Sequence, residues 1–299
     1  MTHVAGTAAP FPPNDTQLGR YMAFKLKFAP HLGFPTVDTP LFDALVGSRD
    51  PVDHMRFAAA HGFEAIQDPF AATRGIEDQA RIGEASAELG LEVGCFVFAP
   101  MATAQTPLWT GTNADDRANL SQVLDEAFAI ARRINSHDIA VLTGFAADRP
   151  KPDQRAAMSA NLAWAGELAA AQGCRLVVEA VNARRLPEML LHRIADAIEV
   201  VRAAAHPAVR LIFDYAHAQA MDGDIIHHVD LAWDHLEIIQ IADNPDRVEP
   251  GAGELNFVRL LDHLVERGFS GLCELEHRWS SPARELQQGY LEWLDRWRI

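Results

Sequence analysis

Four oxygen-bearing side chains close four β-rich runs in the second half of the sequence. The runs read RLVVE to Glu179, LIFD to Asp214, EIIQ to Gln240 and CELE to Glu276. The separations are 35, 26 and 36 residues, each about the length of one strand-plus-helix unit. If the four ends share a rim, three carboxylates crowd together and raise one another's pKa. A divalent cation relieves that cost, and an all-oxygen donor set suits a hard ion, Mg²⁺ or Mn²⁺, better than zinc. A single acidic residue ending a strand is often only the cap of the next helix. Four in successive runs point instead to a shared task.

Other polar residues follow these ends. Asp214 opens FDYAHAQ, which brings His217 close behind it. Asn182, Arg184 and Arg185 follow Glu179. After Gln240 comes IADNPDRVEPGAGELN, whose one arginine, Arg247, has the fork to grip a carboxylate. Each has a plainer role as well: His217 as a loop or cap residue, Arg247 in a surface ion pair, Asn182 as a hydrogen-bond partner of a neighbour. Gly251 and Gly253 suggest a tight turn, with Glu254 as a structural cap.

The elements that must position these residues follow a repeated phrase. Helical stretches stop at Gly62, Gly90, Gly173 and Gly268, and a short β-rich run follows each. With further runs at Lys25–Ala29, His137–Leu142, Val209–Phe213 and Leu236–Gln240, eight strands are expected. Between them lie Asp53–Ala60, Glu77–Glu88, Arg117–Ile134, Gln154–Ala171, Arg193–Ala204 and Phe257–Arg267, all helical in pattern. Eight alternations predict an α/β fold, a single (β/α)8 TIM barrel. A doubly wound sheet would usually show a Gly-rich phosphate turn, and neither GxGxxG nor GxxxxGK[ST] is present. In a barrel, strand C-termini face the active site, so the four ends converge. Two long connections, from Pro30 to Asp50 and from Ala99 to Asp116, fall on that face and read as lids. Residues 1–22 read as a flexible N-terminal extension, and residues 23–299 as the barrel. The aromatic segment Arg284–Arg298 reads as a closing helix or an oligomer contact.

Composition excludes whole classes of partner. With 41 acidic against 26 basic residues the net charge is −15, which disfavours nucleic acid and anionic membranes. No apolar run approaches the ~18 residues of a membrane span. Cys95, Cys174 and Cys273 lie far apart in apolar runs, as expected of buried thiols in a reducing compartment, and no secretory signal is evident. A cytoplasmic protein is expected.

The chain resembles the hydroxypyruvate isomerase family, among the xylose-isomerase-like barrels. The matching pieces are VEAVN around Glu179, FDYAH around Asp214, IIQIADNPDRVEPGAGELN after the seventh strand and GFSGLCELEHR around Glu276. The resemblance spans roughly Lys25 to Arg278 and is strongest from Arg175 onward. It implies that Glu179, Asp214, Gln240 and Glu276 bind a divalent metal, with Glu179 and Glu276 doubling as acid and base. His217 and Arg247 match substrate-contacting positions. The N-terminal half departs from the family. The first strand usually ends in an Asn-containing phrase, whereas here His31 stands in that neighbourhood. The second usually ends in Glu, whereas here Gln67 and Asp68 follow Ile66. The loop Ala99–Asp116 matches no family phrase.

The implied reaction moves a carbonyl between adjacent carbons through a cis-enediolate, converting hydroxypyruvate to tartronate semialdehyde or acting on a close analogue. Asn182 and His31 join His217 and Arg247 as expected substrate contacts. The expected partner is a small hydroxy-keto acid or sugar, and a homo-oligomer is compatible with the aromatic C-terminus. Alternatives are a sugar 3-epimerase, a 2-oxo-tetronate isomerase, or a lyase or dehydratase acting on an oxidised sugar by the same α-proton abstraction. Gln240 in place of a histidine ligand favours the hydroxypyruvate branch over the epimerases. A metal-dependent nuclease on this barrel usually needs many histidines and a basic groove. A non-enzymatic reading is a metal-stabilised ligand-binding barrel.

Overall fold

The strand pattern does close into a barrel. A computed structural model describes residues 22–299, so the extension expected at residues 1–22 lies outside the described residues except for Met22. Among the described residues nine short strands occur in chain order: β1 (Lys27–Pro30), β2 (Ala65–Ile66), β3 (Glu92–Val93), β4 (Phe96–Val97), β5 (Asp138–Val141), β6 (Arg175–Glu179), β7 (Val209–Asp214), β8 (Leu236–Gln240) and β9 (Leu272–Leu275). All named pairings are parallel: β4 through β9 run side by side, β9 pairs with β1, and β2 pairs with β3. Parallel bridges His31–Gln67 and Val93–Ser136 link the remaining edges and complete the ring. β3 and β4 together occupy the third of eight positions.

The barrel interior shows the eightfold arrangement directly. Ala29, Ala65, Cys95, Ala140, Val177, Ile212, Ile238 and Leu272 form one buried cluster, one residue from each position around the ring. Side chains alternate across a strand, so residues two further on face inward again. At that next level stand His31, Gln67, Val97, Leu142, Glu179, Asp214, Gln240 and Glu274. The apolar floor therefore gives way abruptly to a polar layer at the C-terminal rim. Three of the four predicted strand ends, Glu179, Asp214 and Gln240, stand in that layer, and Glu276 follows two residues beyond Glu274.

The helices follow the expected pattern with shifted boundaries: Pro51–Ala60, Ile76–Leu89, Ala114–Ile134, Lys151–Ala171, Ile194–Ala204 and Phe257–Glu266. Capping sets several starts. Asp50 accepts from Val52 N, Asn113 and Asp116 form a reciprocal capping box, and Asn256 accepts from Arg259 N. Two further helices, Tyr215–Met221 and Ile225–Ala232, follow β7. The C-terminal helix Arg284–Leu294 packs against the loop after β1, where Gln287 Oε1 accepts from Ala44 N at 3.1 Å, and the turn Asp295–Trp297 reaches the N-terminal end of β1. Trp297 is buried against Phe28, and its carbonyl accepts from Lys25 N at 2.7 Å. The aromatic tail thus packs on its own barrel. No helix among the described residues is long and apolar enough to cross a membrane.

Candidate active site

Each predicted strand-end residue arrives on the rim by its own local rule. Asp214 ends β7 and also caps the next helix: its Oδ1 accepts from His217 N at 2.9 Å. The capping role and the functional one coexist because a carboxylate has two oxygens. Its Oδ2 turns to the centre, 2.7 Å from Arg247 Nη2. Arg247 Nη2 also contacts Glu276 Oε2, so one guanidinium joins two carboxylates. The Arg247 backbone sits at φ 56°, in the left-handed region, which turns its side chain inward from the loop after β8. Asp243 braces that loop by accepting from Asn244 N, Gly251 N, Gly253 N and Leu255 N. A Cβ at Gly253 would lie 2.2 Å from Asn244 O, so only glycine allows this fold-back. Glu254 accepts from Asn244 Nδ2 at 2.6 Å, bracing the loop, while the following helix is capped by Asn256.

Glu179, His217 and Asn182 form a second string. Asn182 Oδ1 accepts from Arg185 N at 3.1 Å, which leaves its amide N–H to donate to His217 Nδ1 at 2.7 Å. His217 Nε2 lies 3.1 Å from Arg247 Nη1 and 3.6 Å from Glu179 Oε1. Burial holds the His217 pKa down to about 4, so the ring is neutral at neutral pH.

The carboxyls are strongly perturbed. Burial, reinforced by Glu276 and Asp214, pushes Glu179 well above the usual carboxylate range. Burial likewise raises Glu276 to about 7, against the pull of Arg247. For Asp214 burial is outweighed by Arg247, His217 and the backbone bond, and its pKa lies below the ordinary value. Two carboxyls poised above an ionised third are a common setting for acid–base work.

The donor set fits a divalent ion. Glu179, Asp214 and His217 each offer a ligand atom, all within 4.8 Å of one another. Gln240 Oε1 is buried with no hydrogen-bond partner, as a metal-facing carbonyl oxygen would be.

Beside these groups lies a cavity of about 260 Å³. Glu179, His217, Arg247 and Glu276 make its polar end; Phe34, Phe70, Met101 and Leu186 form an apolar wall. Phe34 stacks on Phe70 with centroids 6.1 Å apart and lies under the Arg247 guanidinium at 5.1 Å. Each long loop therefore contributes a wall: Phe34 from the first, Met101 from the second.

Not every expected contact reaches the cavity. His31 is buried beside it, its Nε2 3.0 Å from His277 O, and is not among the lining residues. Asn182 acts on His217 rather than on the cavity. Asp68 pairs with Arg74 at 2.7 Å, away from the site. Glu274 is a residue that sequence reading missed. It is fully buried in the polar layer, and alternation within CELE was the signal that would have found it.

The sequence profile of the xylose isomerase-like TIM barrel family matches residues 55–297. The chain belongs to that family. It is 31% identical over 232 residues to 2-oxo-tetronate isomerase of Cupriavidus necator, an alignment covering 76% of this chain and 86% of that protein. It is 29% identical to a putative hydroxypyruvate isomerase of Danio rerio, covering 91% and 96%. Among solved structures, an AP endonuclease, family 2, from Brucella melitensis superposes with a TM-score of 0.74 at 22% identity, covering 92% of this chain and all of that one. The last likeness speaks to fold alone. Kinship with the named isomerases makes the chain an enzyme of the isomerase class.

Proposed function

We propose that this enzyme is a metal-dependent isomerase of a small hydroxy-keto acid, taking hydroxypyruvate to tartronate semialdehyde or acting on a close analogue. The observation that carries this reading is the pairing of Glu179 and Glu276 on one cavity, both with raised pKa, beside unpartnered Gln240 Oε1. Glu179, Asp214, Gln240 and Glu276 would hold the ion. When bound, a divalent cation supplies Lewis-acid stabilisation of negative charge on the substrate's carbonyl and hydroxyl oxygens.

The chain's own residues do the rest. One glutamate takes the proton from the hydroxymethyl carbon, and the C–H electron pair becomes the C=C bond of an enediolate. The other glutamate returns a proton to the former carbonyl carbon. The hydroxyl proton of the first carbon is lost and the former carbonyl oxygen gains one, so the product is an isomer with no net change in protons. His217, neutral, stands beside the substrate oxygens. Arg247 offers its guanidinium to the substrate carboxylate, and Phe34 and Phe70 keep water from that end. The 31% identity to a protein named 2-oxo-tetronate isomerase supports a four-carbon 2-oxo-tetronate as the second substrate reading. Exhaustive chelation should abolish isomerase turnover and Mn²⁺ should restore it. Undiminished turnover in demonstrably metal-free protein would refute the metal-dependent scheme.

A further inference from the structure

Beneath the proposed metal ligands lies a carboxylate that the reaction scheme does not use. Glu274 points into the barrel from β9, and no part of it is exposed. Four donors converge on it. Cys95 N donates to Oε1 at 2.7 Å; Gln67 Nε2, Gln240 Nε2 and Cys95 Sγ reach Oε2 at 2.8, 3.1 and 3.2 Å. Gln67 Nε2 also lies 3.3 Å from Glu276 Oε1, so it links this carboxylate to a proposed ligand.

The backbone is arranged to admit the group. Between β3 and β4 the ladder breaks, and the Cys95 N–H turns inward to Glu274. Gly94 makes the room: a Cβ there would lie 2.4 Å from Glu274 Oε1. Burial and the nearby Glu276 raise the Glu274 carboxyl to about 8, while the bonds from Cys95 and Gln240 oppose that rise. Oε2 keeps acceptor capacity in either protonation state.

A glutamine amide has two ends that are nearly equal in shape and opposite in polarity. Only its carbonyl oxygen can face a cation. Glu274 takes the N–H end of Gln240, which leaves Gln240 Oε1 buried and without a partner. We infer that Glu274 is a positioning residue, which fixes the orientation of the Gln240 amide so that its oxygen is presented to a divalent cation. This inference rests on the metal-site reading above.

The test is Mn²⁺ binding to chelator-treated full-length protein, followed by electron paramagnetic resonance and by calorimetry, without reference to turnover. Glu274→Gln is isosteric, but its amide nitrogen faces the Gln67 and Gln240 donors if its oxygen stays on Cys95 N. Gln240 must then flip and present its N–H end to the ion. The expected result is an Mn²⁺ Kd raised about 10- to 100-fold, the range for partners that orient metal ligands. The swap Glu274→Gln with Gln240→Glu should restore affinity to within about threefold, because a carboxylate at position 240 can accept from the new amide and still offer an oxygen to the ion. Wild-type affinity in Glu274→Gln, or a swap no tighter than the single variant, overturns the inference while leaving the metal site intact. If Glu274→Gln loses its cooperative melting transition, the swap alone decides: near-wild-type affinity supports the inference, and a loss of about tenfold or more overturns it. Failure of the wild-type chain to bind Mn²⁺ would overturn the metal reading and this inference together.

Discussion

Replacing Arg247 with methionine separates the charge at the site's centre from its packing. Arg247 Nη2 is 2.7 Å from Asp214 Oδ2 and contacts Glu276 Oε2, with the three side chains 6%, 0% and 9% exposed. Removing one partner of a buried pair costs about 3–5 kcal/mol, because the remaining charge is left uncompensated. Methionine fills most of the same space, so little of that loss comes from a cavity. A divalent cation offers positive charge to the same carboxylates. At free Mn²⁺ a thousandfold above its Kd, binding adds about 4 kcal/mol to stability, which is comparable to the loss. Binding should also be tighter in Arg247→Met, since no guanidinium competes for those oxygens. The assay is denaturant unfolding of both proteins in EDTA and in Mn²⁺. The variant should be less stable by about 3–5 kcal/mol in EDTA, and the gap should narrow in Mn²⁺. A variant as stable as wild type in EDTA would refute the claim that these carboxylates need a cation. A gap unchanged by Mn²⁺ would refute the claim that the ion reaches them.

Further outcomes follow from the same geometry. Glu179→Gln and Glu276→Gln should each lower kcat by about 10²–10⁴, the usual contribution of a positioned acid or base, in steady-state assays of metal-loaded enzyme; near-wild-type turnover in either would end the two-glutamate scheme. The metal-free protein should lose stability as pH rises from 6.5 to 8. Glu276 and Glu274 have folded pKa values raised to about 7 and about 8, so their contribution is full below about 4.5 and is lost as pH climbs through those values. His217 and His277, lowered to about 4 and about 3, contribute stability that is lost only below about 6.5, so they leave this window to the carboxyls. The drop should be about 2–3 kcal/mol by chemical denaturation, and Mn²⁺ should stabilise more at pH 8 than at pH 6.5; stability that rises across the window would contradict these assignments. Gly94→Ala should destabilise by about 1–3 kcal/mol through overpacking against Glu274 and Ile66 O, read as a lowered denaturation midpoint.

The parts of the site that were legible in sequence are those set by local rules. A β-rich run ending in an acid or amide, followed by a helix, is enough to put Glu179, Asp214, Gln240 and Glu276 on one rim. What was missed depends on partners distant in sequence. The break at Gly94 and Cys95 exists to meet a carboxylate 179 residues away. Glu274 itself was passed over because CELE was read by its last residue, although its first glutamate faces the same interior. In FDYAHAQ Asp214 caps a short helix, and that turn brings His217 back over Glu179. His31 follows β1 as expected but leans onto His277 O, which sequence spacing could not reveal.

The central claim is that paired glutamates transfer a proton between adjacent carbons beside a bound cation. Incubating Mn²⁺-loaded enzyme with hydroxypyruvate and with a four-carbon 2-oxo acid in D₂O, and following the α-carbon protons by NMR, tests it most directly. The account predicts deuterium entering at the carbon next to the carbonyl together with product formation, both abolished by Glu276→Gln. Metal-loaded wild-type enzyme that exchanges no proton of either substrate would contradict it.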